Sequence, residues 1–289
     1  MTGNDRLVLG TVNFGMDYGY LGGKSRIKEE NAFEIIDHSI LEKIQFFDTA
    51  QDYGRSEEIL GKYVLSNGQS QLNIITKFLA GRCTENPVNR SLRKLNLHRI
   101  YAILFHDFDD YLRHPKTFQQ LQQNQKKGEV EKIGFSLYSP QHLEYLLSRN
   151  IPFQIVQVPY SIFDQRFDQY FSELKARNVE IHVRSIFLNG LFFQDPKALG
   201  DHFGDVKDNL EELTNISRKL EVPISSLCLN FVGQHQYVDK LVIGVRTVSE
   251  LLKNIRGISS SPNLSSHKKA FDAFSCDDQS ILYPHKWRI

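Results

Sequence analysis

The chain has 289 residues, 40% apolar and 24% charged, with a formal net charge of +1 at pH 7. Such proportions belong to a globular protein able to bury a substantial core, and the near-zero charge gives no electrostatic footprint for nucleic acid or an anionic membrane. No basic, apolar leader and no apolar run of roughly 18 residues is present, so a cytoplasmic protein is expected, and the scattered Cys83, Cys228 and Cys276, odd in number and lacking a CxxC pair, argue against a disulfide framework or a metal site.

Short apolar runs recur along the chain: LVLGTVNFG from Leu7, QFFDTA from Gln45, LNIITKF from Leu72, IYAILFH from Ile100, KIGFSL from Lys132, FQIVQVP from Phe153, VEIHVRS from Val179 and KLVIGV from Lys240. Nearly continuous rather than alternating apolarity predicts strands buried on both faces, as in a parallel sheet. The stretches between them have helical character, such as EENAFEIIDHSILEKI before the second run and SEEILGKYVLS after it, where Ser56 can cap and Glu57 and Glu58 suit a first turn. Length alone would suggest about two domains at roughly 150 residues each, but α/β barrels run to about 250 residues as one unit. With no low-complexity linker to divide the chain, eight βα units predict a single (β/α)8 barrel domain over residues 1–289, with a tail from about residue 259. A doubly wound sheet is the alternative.

Polar residues at the ends of successive strands give an independent indication. Asp48, Lys77, His106 and Ser136 lie 29, 29 and 30 residues apart, each at the C-terminal end of its run. Taken singly, an aspartate can cap a helix, a lysine can snorkel and a histidine can be a satisfied core group. In a barrel, however, the four stand side by side on the face where active sites are built.

An aspartate placed directly after Phe46 and Phe47 is expensive to bury unless something pairs with it, and Lys77 on the next strand is the partner expected. Tyr53, just beyond Asp48, can lean over the same mouth. Beside a lysine cation its phenol should be pulled below the usual value of about 10, becoming a usable proton donor, with His106 holding a carbonyl oxygen next to it. No nucleophile or metal cage accompanies these groups, so electrons must come from a cofactor.

DTAQDYGRSEE followed by TKF, LFH, a GFS strand end, a VQ strand end and a late IGVR segment resembles the aldo-keto reductases from Leu7 to about Gly257. The resemblance implies a barrel binding NADPH or NADH across its C-terminal face without a Rossmann fold. On it, Tyr53 is the general acid/base, Lys77 its pKa-lowering partner, Asp48 the residue orienting the lysine and His106 the carbonyl-orienting group. Ser136 and Gln157 match positions holding the nicotinamide carboxamide, and Gly244, Arg246, Glu250 and Asn254 fall in the segment holding the adenosine end.

Three departures stand out. Leu137 follows Ser136 where many members carry asparagine. Arg184, followed by Ser185, occupies the place of an aromatic residue that usually stacks on the nicotinamide, so either its guanidinium plane stacks there or it serves an anionic substrate. Glu250 replaces the common arginine or glutamine. Arg246 favours NADP(H) over NAD(H) provided Glu250 turns to solvent.

The substrate implied is a small aldehyde or ketone. GTVNFGMDYGY and VRSIFLNGL are similar to bacterial members found alongside surface-sugar biosynthesis, which admits a sugar derivative. A cofactor-binding regulatory subunit with little turnover is the alternative; the intact set of four favours the enzyme.

The remaining motifs carry less. GYLGGKS, Gly19 to Ser25, mimics a phosphate-binding loop, but Tyr18 stands where GxxxxGK[ST] needs glycine, so it is read as a βα loop whose tyrosines and Lys24 could line the substrate mouth. QQNQKKGEVEK reads as a solvated helix end and turn. The tail, with the sole tryptophan, Trp287, either frays or folds over the mouth.

Overall fold

The computed structural model describes residues 3–19, 21, 25–67, 72–260, 262 and 264–287. Eight strands, Leu7–Gly10 (β1), Phe46–Asp48 (β2), Asn73–Phe78 (β3), Ile100–Phe105 (β4), Val130–Ser136 (β5), Ile155–Pro159 (β6), Glu180–Arg184 (β7) and Lys240–Gly244 (β8), form a closed barrel in sequence order. Every neighbouring pair is parallel, and β8 returns to β1 with Leu7 opposite Leu241 and Gly10 opposite Gly244. Closure excludes the doubly wound alternative.

All eight apolar runs contain a strand, but most strands are shorter than their runs. The first stops at Gly10, and Val12–Gly15 is a helical turn that leads the chain over the barrel rim. Helices including Glu29–Leu41, Ser56–Asn67, Pro87–Leu95, Pro140–Ser148 and Val248–Ser259 surround the barrel. Among the described residues, no helix is long and apolar enough to cross a membrane.

Strand side chains alternate between two faces. Outward-facing Leu7, Leu9, Phe47, Ile74 and Ile103 pack in one core with helix residues such as Ile35, Ile36, Leu60 and Leu121. Inward-facing Val8, Ile75, Ala102, Leu104 and Ile155 form a separate plug, joined by Phe46, Tyr101 and Val242. Burial on both faces is why the runs look continuous rather than alternating. Beneath the plug the barrel floor is polar: Glu180 accepts from Tyr101 Oη at 2.6 Å and is ion-paired with Lys132.

Glu57 and Glu58 stand in the first turn of their helix as expected, while the capping role of Ser56 is not filled. Ser56 opens its helix but directs its hydroxyl to Thr11 O, 2.9 Å, and bonds the hydroxyls of Thr11 and Thr49 at 2.7 and 2.9 Å. Glu57 is buried rather than a solvated first-turn charge, accepting from Thr76 Oγ1 at 2.8 Å and Ser91 Oγ at 2.7 Å. The stretch from Gln122 behaves as read: helix Lys116–Lys126, a turn through Gly128 at φ +78°, then β5.

The tail packs down rather than fraying. Cys276 N donates to Phe163 O at 2.8 Å, Tyr283 Oη to Tyr138 O at 3.0 Å, and Trp287 Nε1 to Ile281 O at 2.7 Å. Trp287 is 8% exposed and meets Phe203 edge-on with centroids 5.3 Å apart. Truncating a buried tryptophan removes large apolar contacts and leaves a cavity. Trp287→Ala should therefore destabilise the protein by roughly 3 kcal/mol in urea unfolding; an unchanged midpoint would mean that the tail is not docked.

Candidate active site

Continuing the inward parity by two residues reaches the mouth on every strand: Val8 leads to Gly10, Phe46 to Asp48, Ile75 to Lys77, Leu104 to His106, Gly134 to Ser136, Ile155 to Gln157, His182 to Arg184 and Val242 to Gly244. All eight line one cleft of about 570 Å³ at the C-terminal end of the barrel. Tyr53, Ser185, Arg246, Glu250 and Asn254 line it as well. Every catalytic and cofactor-binding candidate named from the sequence is thus brought to one cavity.

Lys77 and Asp48 form its base. Lys77 Nζ donates to Asp48 Oδ2 at 2.6 Å and to Thr49 O at 3.0 Å, with 1% of the lysine side chain exposed. Gln157 Nε2 reaches across the barrel to donate to Asp48 Oδ1 at 2.7 Å, a contact the sequence did not reveal. Both carboxylate oxygens are therefore bonded, the condition under which burying such a pair is tolerable.

Tyr53 Oη lies 3.5 Å from Lys77 Nζ, and its ring meets the His106 imidazole edge-on, with centroids 5.6 Å apart. Interlocking loops hold the tyrosine there. A Cβ on Gly15 would come within 1.7 Å of Tyr53 O, while Gly54, at φ +55°, would place a Cβ 2.4 Å from Gly15 O. Only glycine fits at either position, and the second also requires a left-handed backbone.

The electrostatics differ from expectation at the phenol. Tyr53 is pushed well above its ordinary value, first by burial and then by Asp48, while Arg184 pulls the other way. The Lys77 charge is committed to Asp48 at the shorter distance, and burial lowers the ammonium pKa against the opposing pull of Asp48. Tyr53 is consequently a neutral hydroxyl, a donor rather than a base. Burial, aided by Lys77, also lowers His106 despite the raising effect of Asp52, so the imidazole is neutral at pH 7. Asp52 stands 3.9 Å from His106 Nδ1 and is bonded by Arg82 at 3.1 Å; sequence gave no sign of this flank because Asp52 lies between two motif residues.

Arg184 stands at the end of β7. Its Nη2 donates to Leu137 O and its Nη1 to Ser185 Oγ, both at 3.2 Å, and its Cζ lies 3.9 Å over the Tyr138 ring. Tyr138, absent from the sequence reading, is braced by tail residue Tyr283 with centroids 5.6 Å apart. Leu137, in place of asparagine, buries its side chain and offers only its carbonyl.

On the β8 side, Gly10 and Gly244 leave the rim open toward the start of helix Val248–Ser259. Thr247 caps that helix by accepting from Glu250 N at 3.2 Å, and Glu250 Oε2 accepts from Arg246 N at 2.7 Å. The exposed Glu250 carboxylate is therefore tethered to the backbone beside Arg246. Tyr18, paired with Ser25 in an isolated bridge, borders the cleft, whereas Tyr20 and Lys24 lie outside the described residues.

The cavity suits a flat polar group. Gln157 Oε1 is buried with no hydrogen-bond partner, an acceptor waiting for an N–H, and it stands beside Ser136 in the strand register. A primary carboxamide satisfies such an acceptor. Among the described residues no group of three or more His, Cys, Asp or Glu side chains could hold a metal.

The family model described as "Aldo/keto reductase family" matches residues 6–268. Among curated proteins, the uncharacterized oxidoreductase YrpG of Bacillus subtilis is 24% identical over 89% of this chain and 88% of its own length. The chloroplastic pyridoxal reductase of Arabidopsis thaliana is 30% identical over 54% of this chain and 48% of its own. The holo structure of aldo-keto reductase AKR11C1 from Bacillus halodurans superposes with a TM-score of 0.74 at 19% identity, covering 94% of this chain and 93% of that one, a likeness of fold.

The Asp52 flank makes the state of the imidazole testable. Followed by NMR, His106 should titrate below about 6.5, and Asp52→Asn should lower the midpoint further, because the carboxylate favours the protonated ring. A midpoint at or above the ordinary value, or one unmoved by the substitution, would contradict this arrangement.

Proposed function

Since the chain belongs to the aldo/keto reductase family, an oxidoreductase family that uses nicotinamide cofactors, we propose that it reduces a small aldehyde or ketone to the alcohol in the cytoplasm, drawing on NADPH or NADH. The observation that carries this reading is a neutral phenol, Tyr53, 3.5 Å from a buried lysine and edge-on to a neutral imidazole, in the cleft that also holds the unpartnered Gln157 acceptor. A reduced nicotinamide supplies the hydride.

In this mechanism the substrate oxygen accepts hydrogen bonds from Tyr53 and His106. As negative charge develops on that oxygen, Tyr53 passes it the phenolic proton, and the nearby Lys77 cation stabilises the tyrosinate left behind. Asp48 keeps the lysine in place, and Gln157 is positioned for two tasks: its Nε2 holds Asp48, and its Oε1, with Ser136, holds the carboxamide. A neutral His106 donates without competing as an acid, and the raised phenol holds its proton until negative charge develops on the substrate oxygen.

For the cofactor, Arg246 supports NADP(H) over NAD(H), because a 2′-phosphate needs a cationic donor near the adenosine ribose. The tethered Glu250 carboxylate narrows that preference by repelling the same phosphate. It is also matched to a free ribose hydroxyl, so the two side chains pull selectivity in opposite directions.

Two measurements test the proposal. Tyr53→Phe should leave cofactor binding near normal and lower reduction by about a hundredfold or more, the usual range for losing a general acid; unchanged turnover would remove Tyr53 from the chemistry. In fluorescence titrations, Glu250→Gln should tighten NADPH and leave NADH the same or weaker. Tighter NADH than NADPH binding in the unaltered protein, insensitive to replacing Arg246, would assign the opposite cofactor.

A further inference from the structure

Arg184 is a cation in the wall of the reaction cleft with no carboxylate within ion-pairing distance among the described residues. The inner acid of the cleft, Asp48, is unavailable to it, because Lys77 and Gln157 occupy its two oxygens. The guanidinium is nevertheless held in place. Two of its five N–H groups are spent on neutral acceptors, Leu137 O and Ser185 Oγ, and its plane is laid on Tyr138. Tyr138 is fixed in turn by Tyr283, which touches its ring and donates to its carbonyl.

A flexible arginine loses side-chain entropy when it is tied down, and a cation half-buried in a cleft wall attracts an anion more strongly than one in open water. Here the ordering is done by the protein and the charge is left unanswered. That is a prepared anion site, with donors remaining for the bidentate grip that carboxylate and phosphate groups accept. Its field reaches the reacting groups, since Arg184 acts to lower both Tyr53 and Lys77.

We propose that the preferred substrate is a small carbonyl compound bearing an anionic group, carboxylate or phosphate, held by Arg184 while its carbonyl lies at Tyr53 and His106. The inference deepens the reductase reading and rests on it. Arg184 thereby sets substrate specificity, and Tyr138 with its tail support is the positioning element behind it. Tyr138 covers one face of the guanidinium, and the N–H groups not used by Leu137 O and Ser185 Oγ remain as the recognition edge.

The test compares probes differing in charge rather than shape: 4-carboxybenzaldehyde against 4-carbamoylbenzaldehyde, and glyceraldehyde 3-phosphate against glyceraldehyde. Binding to the full chain without cofactor is read by ligand-observed NMR, and kcat/KM is read with NADPH and NADH. The anionic member of at least one pair should bind about tenfold or more tightly than its neutral partner, the range of a charge-assisted hydrogen bond. Which pair shows the preference identifies carboxylate or phosphate. Arg184→Met should bring that binding ratio to about one, and Arg184→Lys, which keeps the charge but loses the fork, should retain part of it.

Equal binding within both pairs, or a preference surviving in a folded Arg184→Met protein, overturns the proposal. If Arg184→Met does not fold, an anion preference undiminished in Arg184→Lys overturns it in its place, because a fork-shaped grip cannot survive that exchange. Turnover of any of the four aldehydes by the unaltered protein tests the reductase reading separately: its absence with all four, with the binding preference intact, would remove the chemistry and leave the anion site.

Discussion

Everything at the mouth of this barrel is arranged around one buried ion pair. Lys77 and Asp48 sit where water is scarce, and separating them would leave an uncompensated charge costing roughly 3–5 kcal/mol. The pair is held from both sides, by Thr49 O on the lysine and by Gln157 on the aspartate. Because these contacts use up the acid, the cation in the opposite wall has no internal partner. The phenol keeps its proton chiefly because it is buried, and the Asp48 carboxylate adds to that. The charge of Arg184, with the inner acid already taken, is left unanswered within the cleft.

The interior of the barrel is layered by simple alternation. A polar floor at Lys132, Glu180 and Tyr101 and a polar mouth at Asp48, Lys77 and Gln157 are separated by an apolar plug of Val8, Ile75, Ala102, Leu104 and Ile155. The plug keeps water from linking the two charged layers, so each must satisfy its charges locally. It also gives the strand ends a rigid base, which is what holding several reacting groups in mutual register requires.

Much of the site was legible because strand ends are announced by apolar runs, and the residue where a run turns polar is the one that reaches the mouth. Asp48, Lys77, His106 and Ser136 could be found in this way, and motif likeness supplied Gln157, Arg246 and their neighbours. The Gln157 bond to Asp48 was hidden, since it joins positions 109 apart through the barrel interior. Tyr138 was passed over because it follows its strand end by two residues and owes its position to a tail segment remote in sequence. Ser56 was misjudged for a related reason: its capping preference was outweighed by the close packing of the neighbouring loops, which takes its hydroxyl to Thr11 and Thr49. The direction of the phenol shift was missed because the sequence shows that a lysine is near but not how deeply the phenol is buried, and burial is the larger effect.

The contact between Tyr283 and Tyr138 divides the labour between two parts of the chain. The barrel is closed by β8 pairing with β1 and needs nothing from the tail. The wall that steadies Arg184 does, because Tyr283 stands behind Tyr138. The scaffold of the cleft and the support behind Arg184 therefore come from separate stretches of the chain: the strands complete the barrel, and a segment that contributes no strand to it braces the arginine's wall.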